Sequence, residues 1–210
     1  MIRTTSALLL LTATATTTSI AYAQATLEPS AHVSTRALET TQALELWRGE
    51  HGARWKTITS RGTGRPDLLY GGTADPLATP VTDAAFEVVA REFLIQTHGI
   101  HGIEPNTLSI DRTILLPLGQ AGSTDKMSVR FRQSVAGVPV SAGYVNVLMD
   151  MGGRLLSIQA MALPDLGRFN STPETTTAGA FAAIEAAFDT DFGLTPTSIS
   201  TPVLMVVPLS

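Results

Sequence analysis

The sequence contains no cysteine. That removes disulfides, thiol nucleophiles and every thiolate-held metal, haem or iron–sulfur site. Charge is also scarce, at 15% of 210 residues, and lysine occurs only as Lys56 and Lys126. The arginines are scattered, and Lys and Arg together are outnumbered 14 to 18 by Asp and Glu. There is no basic stripe that could track a nucleic-acid backbone, so no nucleic-acid partner is expected. Aromatic residues make up 6% of the chain, too few for a platform that stacks bases or sugars. No apolar run approaches the roughly 20 residues a membrane-spanning helix requires, so no membrane span is expected. What the chain does possess is 44% apolar residues and a mean hydropathy of +0.19. That is enough to bury a core in one or two small domains, and it argues against intrinsic disorder.

Residues 1–25 have the pattern of a secretory signal. Arg3 supplies the positive start, Ala7–Leu11 a short apolar stretch, and Ala21-Tyr22-Ala23 a small-x-small cleavage site, with a second at Ala23-Gln24-Ala25. The expectation is a secreted, extracellular protein, of bacterial source. Removing Arg3 leaves 13 basic against 18 acidic residues, a charge of −5. An exported chain without disulfides must be held by packing or by something bound to it.

The remainder reads as mixed α and β. A short helix is expected over Ser34–Trp47, a strand over Arg54–Ser60, a turn at Gly62–Pro66, a strand at Leu68–Tyr70 and a loop through Pro76 and Pro80. Phe86, Val89, Ala90, Phe93 and Leu94 recur at the spacing of one helical face. Thr79-Pro80 or Thr82 can open that helix, Gly99 can stop it, and Gly102 and Pro105 keep the next stretch irregular. Met127, Val129 and Phe131 then alternate with Ser128, Arg130 and Arg132, which predicts a strand with one buried and one wet face. Ser134–Gly137 forms a turn, and Val138-Pro139-Val140 resumes extended, with proline pointing to an edge or a bulge. Tyr144–Met149 and Arg154–Met161 form a hairpin around Asp150-Met151-Gly152-Gly153. After Pro164 the composition shifts to Ser, Thr and Pro. A boundary is expected at 164–172, then a helix with Thr172 as cap and Pro173 at its first position. Phe181, Ile184 and Phe188 are its apolar residues and Gly193 its stop, and Val203–Val207 is a final strand.

The expected fold class is therefore α+β: an antiparallel meander packed on one main helix, and after it a partial helix-plus-strand unit. The domains are 1–25 (signal), 26–164 and 172–210.

Catalytic patterns are sparse. Zinc hydrolysis requires converging imidazole or carboxylate ligands at fixed spacing, and no His-Glu-x-x-His occurs. His98 and His101 form the only close histidine pair. Gly99 between them points to a helix end, where solvent-facing, cationic histidines complement the dipole. Gly-x-Ser-x-Gly is absent, and Gly62-x-Gly64 and Gly71-Gly72 lack the rest of a phosphate loop. Asp189 and Asp191 read as solvated surface. No catalytic, cofactor-binding or metal-ligating residue is assigned, and a binding, folding or inhibitory role is expected.

Val129-Arg130-Phe131-Arg132-Gln133-Ser134-Val135-Ala136-Gly137-Val138-Pro139-Val140 resembles the signature of the fungalysin/thermolysin propeptide (FTP) domain: a strand with Phe-x-Gln, a short turn, then Gly-[Ile/Val]-Pro-Val. The motif positions are Phe131, Gln133, Gly137, Val138, Pro139 and Val140. The hairpin with Gly152 and Gly153 and its Arg-Leu-Leu-Ser-Ile return strand is similar to the hairpin that comes next in that family. Gly64–Gly71 and the helix ending Arg91-Glu92-Phe93-Leu94 fit as well. Residues 173–208 resemble the start of a PepSY domain. The resemblance implies the amino-terminal part of a secreted zinc metalloprotease precursor, whose propeptide chaperones and inhibits a cognate catalytic domain. That domain, with its zinc, is missing here, so no zinc ligand is carried onto this chain. A free-standing secreted inhibitor or binding module is the alternative. An enzyme in its own right, using His98 and His101, is the third class.

Overall fold

The computed structural model describes residues 20–23, 31–60, 63–164, 176–193 and 203–206. Its elements, in chain order, are β1 (Ile20–Ala23), α1 (Ala31–His51), β2 (Lys56–Thr59), β3 (Pro66–Ala74), α2 (Asp83–Gln96), α3 (His98–His101), β4 (Leu108–Leu116), β5 (Lys126–Val135), β6 (Val138–Asp150), β7 (Leu155–Ala160), α4 (Thr177–Phe192) and β8 (Val203–Val206). They divide into two compact units. The larger comprises Pro29–Ser134 and Ala142–Gly167, and the smaller Met1–Glu28, Val135–Ser141 and Arg168–Ser210.

The larger unit is an α+β layer built on an antiparallel sheet of order β2-β3-β7-β6-β5-β4. The alternation in β5 does what its period dictates. Met127, Val129 and Phe131 are buried, Ser128 and Arg130 are half-buried, and Arg132 is exposed. Val145, Val147 and Met149 of β6, Ile158 of β7 and Leu69 of β3 complete the buried face. Fully burying one such side chain contributes about 1.5–3 kcal/mol. The meander β5-β6-β7 is as the alternation implies. The cover is more than the single main helix expected, because α1, α2 and α3 all contribute to the core.

Helix α2 forms because its five apolar residues share a face and all are buried. Thr82 caps it, its hydroxyl accepting from the Ala85 N–H at 3.2 Å. It does not run to Gly99. It ends at Thr97, whose N–H and hydroxyl both donate to the Phe93 carbonyl, at 2.9 and 2.7 Å, and one further turn, α3, follows. Gly102, left-handed at φ +68°, supplies the true stop. α1 is longer than expected and ends at His51. Its Leu44 and Trp47 are buried, and the Trp47 indole meets Trp55 edge-on at 5.6 Å. Gly72 permits this, since a Cβ there would overlap the Trp55 ring.

Two strands have no counterpart in the sequence pattern, β1, which falls within the expected signal segment, and β4. β4 lies at the sheet edge, where both faces are partly wet, and a bulge between Ile110 and Arg112 breaks its period. Residues after Gly102 are thus not irregular throughout.

In the smaller unit, β1 and β8 pair in parallel, and Val140 of β6 pairs with Val206. α4 begins at Thr177. Thr176 is its cap, accepting from Gly179 at 3.1 Å, and Gly193 ends it in the left-handed conformation. Thr172 and Pro173 lie outside the described residues. Ala180 and Ile184 of this helix are buried.

Candidate functional site

The motif residues are consumed by architecture. Phe131 is fully buried, with the Arg91 guanidinium 5.1 Å from its ring centre. Gln133 is 1% exposed, a buried polar group that must be satisfied. Its amide stands in for a peptide unit: Nε2 donates to the Leu163 carbonyl at 2.9 Å, and Oε1 accepts the Leu163 N–H at 2.8 Å. The side chain thereby adds one rung between β5 and the chain leaving β7. In the smaller unit, Ala136 and Gly137 have φ of +49° and +81°, the two positive angles of a tight hairpin turn. Val138 and Val140 beyond it are buried and Pro139 is half-buried.

The second hairpin is organised by Asp150. One carboxylate oxygen accepts from the backbone N–H groups of Gly152 and Arg154, both at 2.9 Å. The other faces the Arg154 guanidinium at 2.6 Å. Burial pushes this carboxyl up, but the Arg154 and Gly152 donors outweigh it and hold it below the usual carboxylate range. Gly153 is left-handed, and a Cβ there would overlap the Pro80 ring. Gly152 sits against Asp150 with little room.

The histidine pair does not converge. His98 is half-buried, its Nε2 3.1 Å from Glu104. His101 is buried, not solvent-facing as expected, and its Nδ1 donates to the Pro66 carbonyl at 2.9 Å. Burial pushes its pKa down to about 4, against a smaller upward effect of the Pro66 bond, and its Nε2 has no partner among the described residues. Asp189 and Asp191 are exposed. Ala21 and Ala23 lie in β1, opposite Leu204 and Val206, and Ala25 lies outside the described residues.

Two features escape sequence reasoning. On the open face of the sheet, Asp111 receives three guanidinium groups through their Nε atoms, from Arg132 at 3.3 Å, Arg130 at 3.5 Å and Arg112 at 3.8 Å. Arg130 also lies over the Tyr144 ring at 4.2 Å. The alternation of β5 places Arg130 and Arg132 on that face, but nothing in the sequence announces the bulge that brings Asp111 between them. The second feature is a groove of about 410 Å³ between α2 and β4, lined by Ala84, Glu87, Val88, Glu92, Ile95 and Ile110, with Arg91 at its base. Val88 and Ile95 are visible as off-face apolar residues of a helix. Their neighbour across the groove belongs to the strand that the pattern conceals.

Among the described residues, no group of three or more His, Asp or Glu side chains is placed to hold a metal ion, and no helix is long and apolar enough to cross a membrane. Neither a protein-family model nor a curated protein nor a solved structure matches this chain.

Proposed function

We propose that this chain is the propeptide region of a secreted zinc metalloprotease of thermolysin- or fungalysin-like type, and that it acts as intramolecular chaperone and inhibitor of the catalytic domain. The observation that carries this reading is the Gln133–Leu163 clasp, in which the most distinctive polar residue of the FTP-like signature pairs at both ends of its amide within the fold. Phe131 fills the core beside it. A signature spent on shape suits a protein that works by holding another molecule. In this reading the zinc belongs to the partner, and this chain supplies no reacting group.

The physical effect would be linkage. A chain that binds the folded protease and not its unfolded form stabilises it by mass action. If it also binds the folding transition state, it lowers the barrier that kinetically stable proteases must cross. The signal-like residues 1–25 support export. The test is to add the purified chain to a thermolysin-like protease, native in one series and acid-denatured in another. The expected results are slowed peptide hydrolysis in the first and a raised refolding yield in the second. No change in either overturns the proposal.

A further inference from the structure

We propose that the groove between α2 and β4 is a docking site for an extended, basic-flanked peptide segment of a partner protein, which adds a strand to the free edge of β4. The inference stands apart from the protease reading, because it needs no particular partner.

Three observations converge on it. First, among the described residues β4 pairs only with β5, so its other edge offers unpaired backbone donors and acceptors. Strand addition to such an edge takes its affinity from main-chain hydrogen bonds and its specificity from pockets for alternate side chains. Second, a pocket of that kind lies beside the edge. Glu87 meets Thr113 of β4, and Arg91 meets the Leu108 carbonyl, so the helix and the strand run antiparallel. Between them, Val88 at 59% exposure, Ile95 at 58% and Ile110 at 37% present apolar surface to solvent. From Ala84 to Ile95 the helix rises about 16 Å, the length of about five residues of extended chain. The bulge at Asp111 turns that side chain to the open sheet face, and Ile110 stays opposite Phe131, on the groove side.

Third, the charge at the rim selects the occupant. Arg91 is tied inward, donating to the Pro105 and Leu108 carbonyls at 3.1 and 3.3 Å and lying over Phe131. That leaves Glu87 and Glu92 as the carboxylates facing the groove, with the Thr113 hydroxyl donating to Glu87 at 3.0 Å. An apolar side chain would sit between Val88, Ile95 and Ile110, and cationic side chains two residues to either side would reach the carboxylates. A second copy of this chain is a poorer occupant, since edge-to-edge pairing would bring two acidic rims together.

The probes are two blocked pentapeptides, Lys-Thr-Val-Thr-Lys and Glu-Thr-Val-Thr-Glu, titrated into the isotopically labelled full chain and followed by amide NMR. The lysine peptide should bind at least about tenfold more tightly than the glutamate peptide. Shifts should concentrate on Ile110–Leu116 and Ala84–Ile95. The double variant Glu87→Gln/Glu92→Gln should reduce the discrimination to below about threefold. Val88→Lys, which sets a cation against the peptide's lysines and removes apolar surface, should abolish binding of the lysine peptide, and because Val88 is exposed the fold should persist, as an unchanged melting curve would verify. Equal binding of the two peptides, no binding, or shifts located elsewhere would each overturn the proposal. So would amide protection along the free edge of β4 in the unliganded chain. A concentration-dependent dimer abolished by Val88→Asp would assign the groove to a second copy instead.

Discussion

Strands β5 and β4 lie side by side and share a ladder from Leu108–Gln133 to Leu116–Lys126, yet they obey different physics. β5 has neighbours on both sides and a core beneath it, so every second residue is withdrawn from water. Among the described residues β4 has a neighbour on one side only. Of its nine residues only Leu108 is buried, and its period is interrupted at Asp111. The interior strand spends its side chains on stability. The edge strand keeps its apolar side chains and its backbone accessible, which is where recognition can occur.

The largest expected break in this contrast is Phe131→Ala. It empties a fully buried site and should cost about 3–5 kcal/mol in urea-induced unfolding. His101 sharpens the interior side through pH. Its folded pKa of about 4 lies below the unfolded value of 6.5, so between those values the unfolded chain binds a proton that the folded chain excludes. Stability should therefore fall as pH drops from 6.5 towards 4, by about 3 kcal/mol in total from this group, and be unaffected by it above 6.5. His101→Gln should remove that part of the slope in chemical denaturation curves taken across the range. Gln133→Ala leaves the Leu163 N–H and carbonyl without partners, and a loss of about 2 kcal/mol is expected at neutral pH. At the other extreme, Val88→Ser on the exposed side of α2 should stay within about 0.5 kcal/mol in the same assay. A loss at Val88 comparable to that at Gln133 would erase the distinction between interior and edge.

The same contrast explains which elements are legible in the sequence. The period of β5, the buried face of α2 and the hairpin about Asp150 can be read, because in each a single environment acts on alternate or every third-to-fourth residue. β4 cannot, since an edge strand wet on both faces and bulged at Asp111 has no single environment to impose a period. The end of α2 falls earlier than its glycine suggests, at Thr97, whose hydroxyl joins its own N–H on the Phe93 carbonyl, and that bond depends on a rotamer that spacing alone does not give. In the sequence His101 looks like its neighbour His98. Only the approach of the Pro66 carbonyl, 35 residues earlier in the chain, distinguishes them. The groove is illegible for a compound reason, since one wall is a helix that can be foreseen and the other is the strand that cannot.

The Gln133 clasp has a consequence for the segment beyond the sheet. β7 ends at Ala160, so in an ordinary meander the amides past it would fray and trade their protons with solvent quickly. Here the Leu163 N–H points into a side chain rooted 30 residues earlier in the interior. Its deuterium uptake should match the slowest kinetics of β5, making one amide outside every strand a reporter of global opening.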